Sequence, residues 1–248
     1  MDELQSKRVL LVGAGGLGTP VASVLAKSGV GCIEVADDDV VEVSNLHRQL
    51  LYTAENVGKS KAVLACSRIE REQSAADGGA HEIRVVAREM RLIPENAREI
   101  VSGFDLVVEG ADNFSTKFLV ADACALAGVP CVQAGAVRWT GWAFASSAGK
   151  TFPCLRCVFE DIPDGPAFGC AEAGVIGPVV GVVGALQAAL ALRVLRGDAS
   201  AFGVLHHYRA LYGSLRARRI ARSPRCPLCS QRIQDLNAAR YLPRECAA

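Results

Sequence analysis

The chain has 248 residues, half of them hydrophobic and 21% charged, with a formal net charge of +1. That length buries a large core in one domain, and so even a charge balance gives no reason to expect nucleic acid or a membrane as partner. Ten cysteines, with no cationic and apolar leader segment ahead of them, point to a reducing, cytoplasmic setting and to thiol or metal chemistry in place of a disulfide framework.

Residues 8–12 are a β-branched and leucine run, hence a strand. The run enters Gly13-Ala14-Gly15-Gly16-Leu17-Gly18, and a helix is predicted over 19–28 with Pro20 in its first turn. In strand, G-x-G-x-x-G, helix, the glycines turn tightly and let a phosphate reach main-chain N–H groups at a helix start. Taken alone the pattern is a weak signal, the alternative being a glycine turn that serves only helix–strand packing. A second strand, 32–36, ends in Asp37-Asp38-Asp39. Acids at the carboxyl end of a parallel strand lie where open α/β sheets bind ligands, so Asp37 is placed for ribose hydroxyls. Asn45, Arg48, Lys59 and Lys61 bring donors and positive charge to the same mouth. One acid for a sugar and several cations for phosphates describe a nucleotide site; the other reading is a surface loop with scattered charges.

A helix follows to about residue 72, then a turn at Asp77-Gly78-Gly79, a strand over 82–87 and a helix from Pro94 to about 102. The fourth strand, 106–109, delivers Gly110-Ala111-Asp112-Asn113 to the same rim. Asp112 there can hold a Mg²⁺ bridging phosphate oxygens, or can cap the helix predicted over 114–126. Strands are predicted over 130–136 and 139–146. Residues 173–192 carry no formal charge and approach bilayer-spanning length. The glycines at 174, 177, 181 and 184 and Pro178 predict instead a loop and then a buried helix over 178–196. Late strands over 204–208 and 214–221 follow, and a polar tail closes the chain.

Cys154-Leu155-Arg156-Cys157 and Cys226-Pro227-Leu228-Cys229 form two C-x-x-C pairs. Each can bite one Zn²⁺, and four thiolates complete a tetrahedral, closed, structural site that staples the C-terminal end to the body. Either pair alone could be a redox dithiol.

Gly-Ala-Gly-Gly-Leu-Gly, Asp37, Ser44-Asn45-Leu46-His47-Arg48-Gln49, Val57-Gly58-x-x-Lys61, Ala111-Asp112-Asn113 and the paired C-x-x-C, in this order, resemble the ThiF/MoeB/HesA family, bacterial relatives of ubiquitin-activating enzymes. The 29–31, 36–39 and 173–181 stretches look most like ThiF. The resemblance covers nearly the whole chain. It implies a Rossmann-like, mostly parallel α/β sheet flanked by helices, extended by antiparallel strands and carrying a structural zinc site. It implies one adenylation domain: a nucleotide-binding half (1–115), a carrier-binding and zinc half (116–230) and a polar tail (231–248). The activity implied is ATP-dependent adenylation of the C-terminal glycine of a small ubiquitin-like sulfur carrier ending in Gly-Gly, for thiamine thiazole or molybdopterin sulfur chemistry. In that reading Gly13, Gly15, Gly16 and Gly18 form the phosphate turn and Asp37 holds the ribose. Ser44, Asn45, Arg48 and Lys61 serve the phosphates, and Asp112 handles Mg²⁺ with Asn113 beside it. Cys170 matches a cysteine that forms an acyl disulfide with the carrier; otherwise it is a spare buried thiol. A homodimer and a sulfurtransferase or cysteine desulfurase partner are further expectations.

The chain departs from the resemblance ahead of the first strand. Most members carry a helix there with Arg-Tyr-x-Arg-Gln, one of whose arginines reaches the neighbouring subunit's ATP; that motif has no counterpart here. Three other readings stay open: an NAD-linked oxidoreductase, a non-catalytic partner, and adenylation of a tRNA base or small carboxylate. The first leaves Arg48, Lys61 and Asp112 without a task. Arg216, Arg218, Arg219 and Arg222 on the last strand are a solvated edge or a docking surface for an acidic carrier.

Overall fold

A computed structural model describes residues 2–76, 83–147, 151–162 and 174–242. One eight-stranded sheet runs through the molecule in the order β3-β2-β1-β4-β5-β6-β7-β8. The strands are β1 (Arg8–Val12), β2 (Cys32–Ala36), β3 (Arg84–Arg88), β4 (Leu106–Glu109), β5 (Cys131–Val137), β6 (Thr140–Ser146), β7 (Val204–Arg209) and β8 (Ser214–Arg219). The first five are parallel, and β6, β7 and β8 add on as antiparallel neighbours. The mostly parallel sheet with an antiparallel extension is the architecture expected from the sequence. β1, β2 and β4 are buried almost throughout, since helices cover both faces.

The helices are α1 (Asp2–Gln5), α2 (Gly18–Lys27), α3 (Lys61–Ala76), α4 (Ala97–Val101), α5 (Phe114–Ala127), α6 (Leu155–Phe159) and α7 (Gly177–Leu195). On one face α2, α3 and α7 close a core that includes Val21, Leu25, Ile69, Val179 and Val183. On the other, α4 and α5 close a second core around Leu10, Phe104, Phe118 and Leu119. The 115/116 division falls inside α5, and the sheet continues across it.

Several elements are shorter or shifted. The helix expected from Pro94 is only Ala97–Val101, because Asn96 holds the chain in a turn by accepting the Ile93 N–H at 2.9 Å. The third strand is Arg84–Arg88, set by pairing with β2 rather than by its own pattern; residue 82 and the 77–79 turn lie outside the described residues. β8 stops at Arg219. Among the described helices α7 alone is long and apolar enough to span a bilayer, and 56% of that stretch is buried against the sheet and α2. Ahead of β1, α1 is a single helical turn without arginine, pinned by Leu4 in the core.

Candidate nucleotide site and metal centre

Strand order reverses between β1 and β4, so their carboxyl ends part and open a crevice. A cavity of about 370 Å³ occupies it, lined by Gly13, Gly15, Gly16, Asp37, Arg48, Lys61, Asp112 and Asn113 among others. Ser44, Asn45, Lys59 and Gly18 are not among the residues that line it; Gly18 opens α2 with its backbone packed on the Gly13 carbonyl. Cys170 lies outside the described residues.

The 44–49 segment reaches the cavity because two glycines make room for it. A Cβ on Gly16 would come within 2.6 Å of the Arg48 carbonyl oxygen, and one on Gly177 equally close to the His47 carbonyl oxygen. The segment is thus clamped between the glycine turn and the start of α7. Arg48 is braced from its own turn, donating to the Ser44 carbonyl at 3.0 Å, and Asn45, buried, donates to the Ser44 hydroxyl at 3.3 Å.

Asp37 holds the site's geometry. Its carboxylate accepts the Ala14 N–H at 2.6 Å and the Asp39 N–H at 2.8 Å. Burial pushes its carboxyl above the usual aspartate range; those two amides and the Lys61 charge pull the other way. Two oxygens with further lone pairs remain able to accept sugar hydroxyls. Lys61, buried, donates to Asp39 at 2.8 Å. The Tyr52 hydroxyl sits 2.6 Å from the Ala14 carbonyl oxygen and 3.1 Å from that of Lys61, tying the glycine turn to α3.

At the end of β4 the two expected roles divide between neighbours. Asn113 is the cap of α5: its side chain accepts the Thr116 N–H at 2.8 Å. Asp112, the capping candidate from sequence, does not cap; it is exposed on the cavity wall. A carboxylate left to solvent beside a nucleotide-sized cavity could supply one ligand to a Mg²⁺ shared with phosphates.

Sequence reasoning missed the floor. Lys117, one turn into α5, lines the cavity and donates to both oxygens of Glu109 at 3.1 and 3.3 Å, and to the Ala134 carbonyl. Glu109, fully buried at the end of β4, also accepts the Ala111 N–H at 2.7 Å. Burial pushes its carboxyl up, and Lys117 opposes that push. The pair therefore sets the peptide that carries Asp112. The four-residue step from Asn113 to Lys117 was the available signal, since helical spacing puts both on one face. Trp142 and His207, on the far wall, gave none: only strand register brings them there.

Some way along the sheet the four cysteine thiols meet. Cys154 Sγ lies 3.9 Å from Cys157, 3.5 Å from Cys226 and 3.5 Å from Cys229, and Cys157 lies 3.6 Å from Cys229. A tetrahedron with ~2.3 Å metal–sulfur bonds has ~3.8 Å edges, so the donor set fits Zn²⁺. Arg156, inside the first pair, is buried and grips Asp122 of α5 at 2.9–3.1 Å. Tyr241 donates to the same carboxylate at 3.0 Å.

An open α/β sheet with a cavity at its switch point and a Cys₄ knuckle on its antiparallel extension defines a recognisable class. The ThiF family model matches residues 1–228, and the chain belongs to that family. It is 44% identical to the sulfur carrier protein adenylyltransferase of Thermus thermophilus, over 92% of this chain and 84% of that one. It is 38% identical to the Xenopus laevis adenylyltransferase and sulfurtransferase MOCS3, over 92% of this chain but 49% of that one, so it spans about half of such relatives. The crystal structure of E. coli MccB with ATP shares the fold, with a TM-score of 0.77 at 24% identity over 92% of this chain and 67% of that one. The enzyme class is that of an adenylyltransferase.

Proposed function

We propose that this chain uses ATP to adenylate the C-terminal glycine carboxylate of a small ubiquitin-like sulfur-carrier protein, releasing pyrophosphate. The observation that carries the reading is the single cavity shared by Asp37, Arg48, Lys61 and Asp112. Asp37 receives the ribose. The carrier carboxylate, ionised at neutral pH and needing no base, attacks the α-phosphorus; the bond to the bridging oxygen breaks and pyrophosphate leaves. Negative charge grows on the leaving oxygens, where Arg48 and Lys61 hold fixed positive charge. Lys61 turns from Asp39 toward the phosphates as ATP binds. Mg²⁺, held by Asp112, would neutralise phosphate charge when bound.

The whole chain serves as one adenylation domain with the zinc knuckle as its staple. The name of the Thermus relative supports a sulfur carrier. Thiamine thiazole formation is our assignment for the pathway, with a molybdopterin-type carrier as the second reading; the relative named adenylyltransferase and sulfurtransferase MOCS3 supports sulfur transfer as the downstream step. A reducing, cytoplasmic setting, in which the four clustered thiols stay available to a metal, is part of the proposal. Pyrophosphate exchange into ATP against a panel of carriers ending in Gly-Gly tests the proposal. Exchange that needs an intact terminal glycine is expected; exchange indifferent to every carrier overturns it. Cys170→Ser is expected to leave exchange intact and block sulfur transfer, and unchanged transfer removes Cys170 from the reaction.

A further inference from the structure

Ala14, in the middle of the glycine turn, is gripped on both sides of its backbone. Its N–H donates to the Asp37 carboxylate at 2.6 Å, and its carbonyl oxygen accepts the Tyr52 hydroxyl at 2.6 Å. Tyr52 comes from 38 residues away, on the segment that also carries Asn45 and Arg48. It is buried, and its own N–H donates to the Gln49 carbonyl at 3.1 Å, which closes the turn that aims the ring. A hydroxyl has one proton, so the shorter contact takes it and the Lys61 carbonyl oxygen at 3.1 Å is the alternative acceptor. Burial, and after it the Asp37 charge, push the phenol above its ordinary range, so it stays a donor.

The grip fixes more than Ala14. In a trans peptide the C=O and the next N–H point in opposite directions, and the 14–15 peptide is trans. With the Ala14 carbonyl turned onto buried Tyr52, the Gly15 N–H is turned away from it. Gly15 lines the nucleotide cavity and Tyr52 does not, so that N–H faces the cavity side. The following peptide is held by α2 itself, since the Thr19 N–H and hydroxyl donate to the Gly15 carbonyl at 3.1 and 3.0 Å. Successive N–H groups ahead of a helix are phosphate donors. The first of them lies one residue beyond that α2 hydrogen bond, and Tyr52 supplies the hold that the helix does not. Phenylalanine would fill the same space and could not grip the peptide.

We propose that Tyr52 is a positioning residue for the phosphate turn: its hydroxyl holds the 14–15 peptide so that the Gly15 N–H is presented to a phosphate of ATP. This rests on the ATP use proposed above. Asp37 takes the ribose from the other side of the same residue, so Tyr52 acts on the phosphate end of the nucleotide alone.

The test is the affinity of the full chain for ATP, by titration calorimetry, and for adenosine, by displacement of ATP. The parent is compared with Y52F and with Ile69→Val, which trims the core on α3 without touching the turn. Thermal unfolding sets a temperature at which all three are folded. Y52F is expected to bind ATP ~tenfold more weakly and adenosine as the parent does. Ile69→Val, destabilised in the core, should keep the parent's ratio of the two affinities. Unchanged ATP affinity in Y52F, or an equal loss for ATP and adenosine, overturns the positioning role and leaves ATP use standing. A parent that binds no ATP removes the proposed function and this inference with it. In the parent itself, ATP and not adenosine is expected to move the Gly15 amide resonance. A Gly15 amide that ATP leaves unmoved overturns the inference whatever Y52F does.

Discussion

Asp37 and Lys117 show what a single residue reveals of itself. Asp37 was legible because it follows a short apolar run, and the strand end that run implies is where the sheet opens. Lys117 was not, because a lysine in the first turn of a helix ordinarily faces solvent, whereas α5 is buried continuously from Thr116 to Cys124. Its partner sits in β4, and the pair exists only once α5 lies across the sheet. The same pair carries a sharp energetic expectation. Lys117 is 5% and Glu109 0% exposed, so neither charge is compensated by water. Lys117→Met leaves a buried carboxylate without its cation and is expected to cost ~3–5 kcal/mol in urea unfolding. Adding Glu109→Gln removes the orphaned charge, keeps an oxygen for the Ala111 N–H, and should restore most of the loss. A Lys117→Met protein within ~1 kcal/mol of the parent would show that the two charges are not coupled.

At the level of elements, parallel strands and the long helices were readable from apolar runs bounded by glycine, proline and acids. Boundaries were not, since pairing partners trim them, as β2 does for β3. β2 also carries a pH-sensitive staple. Glu34 is buried between Arg8 of β1 and Arg88 of β3, donating partners on either side. Burial pushes its carboxyl up, but the hydrogen bonds and charges of Arg88 and Arg8 prevail, and it titrates below its ordinary value of 4.5. The folded state thus holds this carboxylate ionised more strongly than the unfolded chain does. Its stabilisation is full above pH 4.5 and drains away as pH falls toward the folded value. Relative to Glu34→Gln, the parent should be more stable at neutral pH, with the gap closing under acid; a gap unchanged down to pH ~3 would contradict this. The C-terminal tail, unreadable in sequence, gains its place from the same kind of contact: Arg156 in the metal knuckle and Tyr241 share Asp122. Cys154→Ser should abolish a zinc stoichiometry of one per chain and expose 226–242 to proteolysis. A metal-free protein with an unchanged digestion pattern would remove the staple from the account.

At the scale of the whole molecule, the outer side of α7 is an apolar surface left uncovered among the described residues. The sequence marked α7 as apolar nearly all round, and a helix of that kind is buried on every side or meets something apolar. Its inner side packs on the sheet. Its outer side, Gly181, Val182, Ala185 and Ala189, faces outward with Val182 40% exposed. Nearby, Leu50 is 85% and Val24 38% exposed, and Leu50 shares a shallow groove with Pro20 and Gly181. Small residues at helical spacing allow a second helix backbone to come close, and a two-fold axis lets the same patch serve both partners. For the homodimer expected from the family resemblance, the prediction this patch supports is α7 against α7 of a second copy. α7 begins at Gly177, against the 47–48 backbone, so a second copy seated there would abut the segment that carries Arg48. Val182→Glu places a charge at the centre of the patch without touching the cavity. Sedimentation should then report a monomer where the parent is a dimer. Pyrophosphate exchange should fall with it if the second copy steadies Arg48, and hold if the dimer is only a matter of covering the face. A parent that sediments as a monomer at every concentration would take the α7 pairing away altogether.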